Sequence, residues 1–362
     1  MHVVFRWFGE KFDTVTLEQI RQIPGVEGVV GALFDIPVGE VWPFEKIVEL
    51  KHKVEQAGLK LEVIESVNVH EDIKLGLPTR DKYIENYCQT LINLSKIGIK
   101  VVVYNFMPVF DWVRTNLHKT LPDGSKVMEY DHKFIAGRGP KELVEEVKSG
   151  SQGFILAGWE WSRLEKLAEV MKMYENVDEE KLFQNLVYFL KNVIPVCEKV
   201  GIKLAIHPDD PPWSVFGLPR IVTCKENIER ILKAVDSPYN GLTFCVGSLG
   251  VRKDNNLVDM IKYFGSMGRI HFVHLRNVKI VGEKVFYETA HPSFCGSYDM
   301  FEIIKALYEI KFDGYIRPDH GRTIWNEKSI PGYGLYDRAL GITYIIGLWE
   351  AVDKMCTKYV KC

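Results

Sequence analysis

Seven polar residues close runs of otherwise apolar, β-branched sequence: Arg6, Glu65, Asn105, His207, Cys245, His274 and Asp319. The last four follow one another at intervals of 38, 29 and 45 residues, each about one strand-plus-helix repeat. Four successive strands of a parallel sheet would therefore deliver a His, a Cys, a His and an Asp to one edge. Two imidazoles, a thiolate and a carboxylate make a complete ligand set for a divalent transition metal. A single His or Cys at a strand end is more often packed or hydrogen-bonded than a ligand, and only the coincidence of four points to a metal. His271, three residues before His274 and so on the other side of an extended strand, reads as structural. Cys88, Cys197, Cys356 and Cys362, in helical or terminal segments, read the same way.

Polar residues continue just past these positions. Pro208-Asp209-Asp210-Pro211-Pro212-Trp213 is a stiff loop whose carboxylates could orient a ligand imidazole, hold a substrate hydroxyl or cap the following turn. Asp319 is followed by His320-Gly321-Arg322, and Pro331-Gly332-Tyr333-Gly334 comes about a dozen residues later. A histidine beside a metal ligand is suited to carry protons, and an arginine such as Arg322 or Arg6 to clamp a carboxylate. Tyr333 stands between glycines that would let its backbone approach a crowded mouth. Trp7, Trp112 and Trp213 read as walls.

The elements that must position these residues alternate regularly. Candidate strands span 2–8, 27–34, 60–66, 99–106, 202–207, 242–247, 269–275 and 314–319, separated by amphipathic stretches at 43–57, 79–97, 178–200, 224–235, 257–264, 297–310 and 335–355. Gly58, Gly98 and Gly201 each follow a helical stretch and lead into a strand, as C-terminal helix stops do. Eight apolar strands with intervening helices predict a parallel α/β fold closed into a (β/α)8 TIM barrel. A doubly wound sheet is disfavoured because no GxGxxG or GxxxxGK[ST] loop follows the first strand. The long departure from the repeat, at about 107–177 after strand 4, carries Trp112, Arg114, His118, Trp159 and Trp161 with Gly-rich turns, the composition of an inserted cap. No linker divides the chain, so 1–362 is expected to form a single catalytic domain.

The 362 residues carry a formal charge of −2, and no run of five Lys or Arg occurs, which argues against a nucleic-acid partner. Neither a signal peptide nor a stretch of eighteen apolar residues free of charge is present, so neither export nor a membrane is expected. Seven scattered cysteines without a CxxC pair suit reduced thiols in a cytoplasm.

Spread along nearly the whole length are the segments VVFRWFG (3–9), VYNFMPVFDW (103–112), IHPDDPPW (206–213), HLRNV (274–278), ETAHPSFCGS (288–297), RPDHGR (317–322) and PGYGLYDRALG (331–341). In these the sequence resembles the metal-dependent mannonate dehydratases of the xylose-isomerase-like barrel superfamily. The resemblance implies a hydro-lyase of hexuronate catabolism that converts D-mannonate to 2-keto-3-deoxy-D-gluconate and water. It also implies Mn²⁺ as cofactor, with Fe²⁺ or Co²⁺ as alternatives, held by His207, Cys245, His274 and Asp319, and a catalytic role for His320 and Tyr333. Substrate contacts are expected from Arg6, Trp7, Asn105, Asp209, His291 and Arg322, and the expected assembly is a homodimer.

That chemistry suits these residues. Removing the proton on the carbon beside a carboxylate creates an enediolate, which a divalent ion stabilises as a Lewis acid. Loss of the C3 hydroxide then needs an acid within hydrogen-bond reach, for which a histidine, with an unperturbed pKa of about 6.5, is suited and a tyrosine possible. Three alternatives are weighed. An aldose–ketose isomerase or epimerase of the same superfamily would be expected to use more carboxylates. A phosphodiesterase would need a basic field. A metal-storing scaffold would have no use for His320, Arg322 and Tyr333 beside the ligands.

Overall fold

The computed structural model describes residues 1–154, 156, 159 and 167–359. Trp161 and Cys362 lie outside them. Eight parallel strands form a closed barrel: β1 (His2–Arg6), β2 (Gly28–Gly31), β3 (Lys60–Glu65), β4 (Val101–Tyr104), β7 (Lys203–Ile206), β8 (Asn240–Cys245), β9 (Ile270–His274) and β12 (Tyr315–Arg317). Closure comes from β1 pairing with β12, His2 opposite Tyr315. All eight predicted strands are present; seven are trimmed by one to a few residues where the chain turns out of the ladder, and the one predicted at 242–247 lies two residues earlier, at Asn240–Cys245.

Side-chain alternation sorts the apolar residues into two layers. Val4, Val30, Val63, Val101, Val103, Ala205 and Phe272 fill the barrel interior, whereas neighbours such as Val3, Phe5, Ile64, Val102, Leu204 and Val273 face the surrounding helices. The helices begin where the sequence supplies a cap and end where it supplies glycine. Asp178 accepts from the Lys181 N–H at 2.7 Å at the start of Glu179–Val200, and Gly201, at φ 76°, ends it. Three further helices, Phe44–Gln56, Arg80–Ser95 and Leu335–Tyr359, lie within two residues of their predicted starts.

The segment after β4 is not self-contained. Its strands β5 (Asn116–Thr120) and β6 (Lys126–Asp131) join a hairpin of β10 (Val278–Gly282) and β11 (Val285–Glu288) in an antiparallel sheet of order β10-β11-β6-β5. The hairpin, which lies between β9 and the helix Met300–Glu309, was not foreseen from the sequence. No helix among the described residues is long and apolar enough to cross a membrane.

Candidate active site

The barrel interior ends in a cavity of about 650 Å³ at the carboxyl ends of the strands. Alternation decides who faces it. Two residues beyond the interior layer, the side chains of Arg6, Glu65, Asn105, His207 and His274 keep the inward direction set by Val4, Val63, Val103, Ala205 and Phe272. Trp7 takes the other face of its strand. It is buried among the outer apolar residues with its indole N–H donating to the Val15 carbonyl at 3.1 Å, so the expected substrate contact from Trp7 has no place at the cavity.

His207, Cys245 and His274 converge. One ligand atom from each lies within 4.8 Å of the other two, and His207 Nε2 stands 3.2 Å from His274 Nδ1, a spacing that two imidazoles bound at about 2.1 Å to one ion keep. Burial would raise the Cys245 thiol, but Arg276 and His207 bring it down to about 5 against the opposing charge of Asp319. Burial would likewise lower His207, but Cys245, Asp319 and Glu65 raise it to about 9. These charges favour a thiolate beside a protonated imidazole, an anionic donor whose partner proton a bound cation would replace. A buried thiolate, two imidazoles and an adjacent carboxylate are soft and intermediate donors that fit a transition-metal dication.

Asp319 stands at the edge of this group, its Oδ2 3.6 Å from Cys245 Sγ and its Oδ1 3.8 Å from His274 Nδ1. Its carboxylate also lies 2.8 Å from Arg317 Nη1 and 2.9 Å from Arg276 Nε. Burial opposes its charge, yet His320, Arg317, His274 and Arg276 hold it well below the usual carboxylate range. The backbone at Asp319 has φ 62°, a left-handed conformation that breaks the strand alternation immediately after Pro318. That break lets Asp319 and His320, consecutive in sequence, both line the cavity.

His320 Nε2 is 2.9 Å from the Tyr333 hydroxyl, and the two rings meet edge to face. Burial and the nearby Asp319 raise the Tyr333 hydroxyl above its ordinary value despite Arg317. Tyr333 follows Gly332, whose φ of 80° is a left-handed conformation that favours glycine. On its other side, His320 Nδ1 lies 3.1 Å from Glu288 Oε1 and 2.9 Å from Arg276 Nη1. Glu288 ends β11, so the extra sheet reaches the barrel mouth through a buried network of Arg114, Asp210, Arg276 and Glu288. Burial opposes ionisation of Glu288, but Arg276, Arg114 and His320 lower it to about 2.

Of the expected substrate contacts, Arg6 and Asn105 line the cavity. Arg6 is 4% exposed, lies against the Phe8 ring at 4.6 Å, donates to the Val30 carbonyl at 3.2 Å, and has no carboxylate within 4.0 Å among the described residues. Arg322 does not line it. Its guanidinium turns outward to Asp337 at 2.8 Å and Asp123 at 3.1 Å, beside a separate surface groove. Asp209 is buried behind the mouth, accepting from the Val222 N–H at 2.8 Å, while its neighbour Asp210 lines the cavity. His291 is buried away from it, with Nε2 3.1 Å from the Pro318 carbonyl. His271 faces outward to the Leu204 carbonyl at 2.9 Å, and burial lowers it to about 3.

Sequence reasoning missed Arg114, Arg276, Glu288 and Arg317, and left Glu65 without a role. Glu65 holds Arg317 through two oxygens at 3.0 and 3.1 Å and lies 3.5 Å from His274 Nε2. Arg276 and Arg317 stand two residues from His274 and Asp319, a signal that alternation could have supplied. Glu288 carried none, because the hairpin that presents it was not recognised.

Residues 1–359 match the family model described as D-mannonate dehydratase (UxuA), and the chain is 75% identical over 359 residues to the mannonate dehydratase of Thermotoga maritima, covering 99% of this chain and 100% of that one. The chain belongs to the mannonate dehydratase family. A crystal structure of the family's member from Streptococcus suis, 47% identical, superposes with a TM-score of 0.88 over 98% of this chain and 96% of that chain. A xylose isomerase-like TIM barrel protein from Mycobacterium smegmatis superposes with a TM-score of 0.53 at 14% identity, covering 93% of this chain and 87% of that one, a likeness of fold alone. The resemblance drawn from the motifs is thus borne out for family and barrel alike.

Proposed function

We propose that this member of the mannonate dehydratase family acts as a hydro-lyase on D-mannonate, removing the C2 hydrogen and the C3 hydroxide to leave 2-keto-3-deoxy-D-gluconate and water. His207, Cys245, His274 and Asp319 would hold the divalent ion, Mn²⁺ by preference with Fe²⁺ or Co²⁺ compatible. Such an ion supplies Lewis-acid stabilisation of the negative charge that develops beside the carboxylate. Arg6 receives the substrate carboxylate, because a buried guanidinium with no carboxylate within 4.0 Å among the described residues is matched by an anion entering the cavity. Asn105 and Asp210 line the same space and are placed to meet hydroxyls. His320 and Tyr333 exchange the protons at C2 and C3, with His320 the acid for the departing hydroxide.

The observation that carries this reading is the His320 and Tyr333 pair, 2.9 Å apart and lining the same cavity as His207 and Asp319. Incubating metal-loaded protein with D-mannonate or D-gluconate and following products by proton NMR tests it. The expected result is one equivalent of 2-keto-3-deoxy acid from mannonate. Interconversion of mannonate and gluconate without a keto product would instead favour the epimerase reading.

A further inference from the structure

We propose that Glu288 is a positioning residue for the reaction: through His320 Nδ1 it fixes the imidazole so that Nε2 meets the Tyr333 hydroxyl. The proposal rests on the reading of His320 as a proton-transfer group. Glu288 Oε1 is the point where the network gathers. It accepts from Arg114 Nη2 at 2.9 Å and Nε at 3.3 Å, accepts from Arg276 Nη1, and lies 3.1 Å from His320 Nδ1. Glu288 is fully buried, so water cannot stand in for it. The imidazole thus has Glu288 Oε1 at 3.1 Å and Arg276 Nη1, itself bound to Glu288, at 2.9 Å beside Nδ1, and the Tyr333 hydroxyl at Nε2, with Trp112 edge-on at 6.0 Å. A ring tethered at both nitrogens cannot flip, and a proton-transfer group displaced by a fraction of an ångström loses much of its rate. The antiparallel sheet thus has a chemical task, since β11 presents Glu288 and the segment just before β5 presents Arg114, whose guanidinium braces it.

A double-mutant cycle separates positioning from simple support of the fold. Glu288→Gln, His320→Asn and the double variant are loaded with metal, checked for metal content and melting temperature, and assayed for kcat and KM with D-mannonate. Glu288→Asp runs through the same cycle in case the Gln variant fails to fold. Glu288→Gln is expected to retain metal and a KM within threefold while losing at least tenfold in kcat. Adding it to His320→Asn should cost no more than twofold further, and Glu288→Asp should recover part of the loss. If the two losses multiply, or if Glu288→Gln keeps kcat within threefold, Glu288 does not act through His320. Wild-type turnover by His320→Asn would overturn the underlying reading of His320 and the proposal with it.

Discussion

His320 Nε2 and the Tyr333 hydroxyl meet at 2.9 Å although thirteen residues separate them, because Asp319 turns the chain left-handed before His320 and the Gly321 N–H donates to the Gly332 carbonyl at 2.8 Å, tying the two loops together. The contact sets the two groups proposed to carry protons next to the His207, Cys245 and His274 cluster. His320→Asn and Tyr333→Phe should each bind metal normally and lose turnover by about 10²-fold or more, the scale of a positioned proton transfer. In D₂O, the variant that keeps the base should still exchange the C2 hydrogen without eliminating water. Near wild-type dehydration by both variants would remove the pair from the chemistry.

Arg6 and Arg322 give opposite expectations because, among the described residues, Arg6 has no carboxylate within 4.0 Å whereas Arg322 is paired with Asp337 and Asp123. Arg6→Lys should lower kcat/KM for mannonate more than tenfold, at least about 1.4 kcal/mol, since an ammonium cannot reproduce the planar fork of a guanidinium. Arg322→Lys should stay within about threefold. Equal losses in steady-state assays would contradict this assignment.

Cys245→Ser should weaken metal binding and move the preference toward harder ions, because a serine hydroxyl is not ionised at neutral pH whereas this thiol, lowered to about 5, is. Competition titrations of Mn²⁺ against Co²⁺ and Zn²⁺ measure it. An unchanged affinity order across the variants would take Cys245 out of the ligand set.

The barrel was legible because its signals are local: eight apolar runs, glycine stops at Gly58, Gly98 and Gly201, and polar residues closing seven of the runs. Alternation turns Arg6, Asn105 and His207 toward the cavity and Trp7 outward, so the expectation for Trp7 came from reading its position in the run without its parity. His320 is the converse case. Parity sends it away from the cavity, and only the left-handed turn at Asp319 brings it back, a tertiary feature with no sequence signature beyond the preceding Pro318. The Arg114, Asp210, Arg276 and Glu288 network was out of reach for another reason: Arg114 and Glu288 are 174 residues apart and meet only through the shared sheet.

That network makes stability depend on acid pH in a definite direction. Glu288 titrates at about 2 in the fold, lowered from its ordinary 4.5 by Arg276, Arg114 and His320 against the cost of burial. A depressed carboxylate stabilises the fold fully above its unfolded value and loses that contribution as pH falls through the folded one. The stability gap between wild type and Glu288→Gln should therefore narrow by about 3 kcal/mol between roughly pH 5 and pH 2. Urea midpoints measured across this range report it, and a gap that stays constant would mean that Glu288 is not held ionised by the arginines.

The most direct test of a metal-assisted dehydration at the barrel mouth is to strip the protein with a chelator, add back Mn²⁺ in steps, and record 2-keto-3-deoxy acid formed from D-mannonate against bound metal. The expected result is no product in the stripped protein and a rate that rises in proportion to bound ion up to one per chain, with His207→Ala failing to recover at any stoichiometric addition. Full turnover by the stripped protein, or full recovery by His207→Ala, would contradict it.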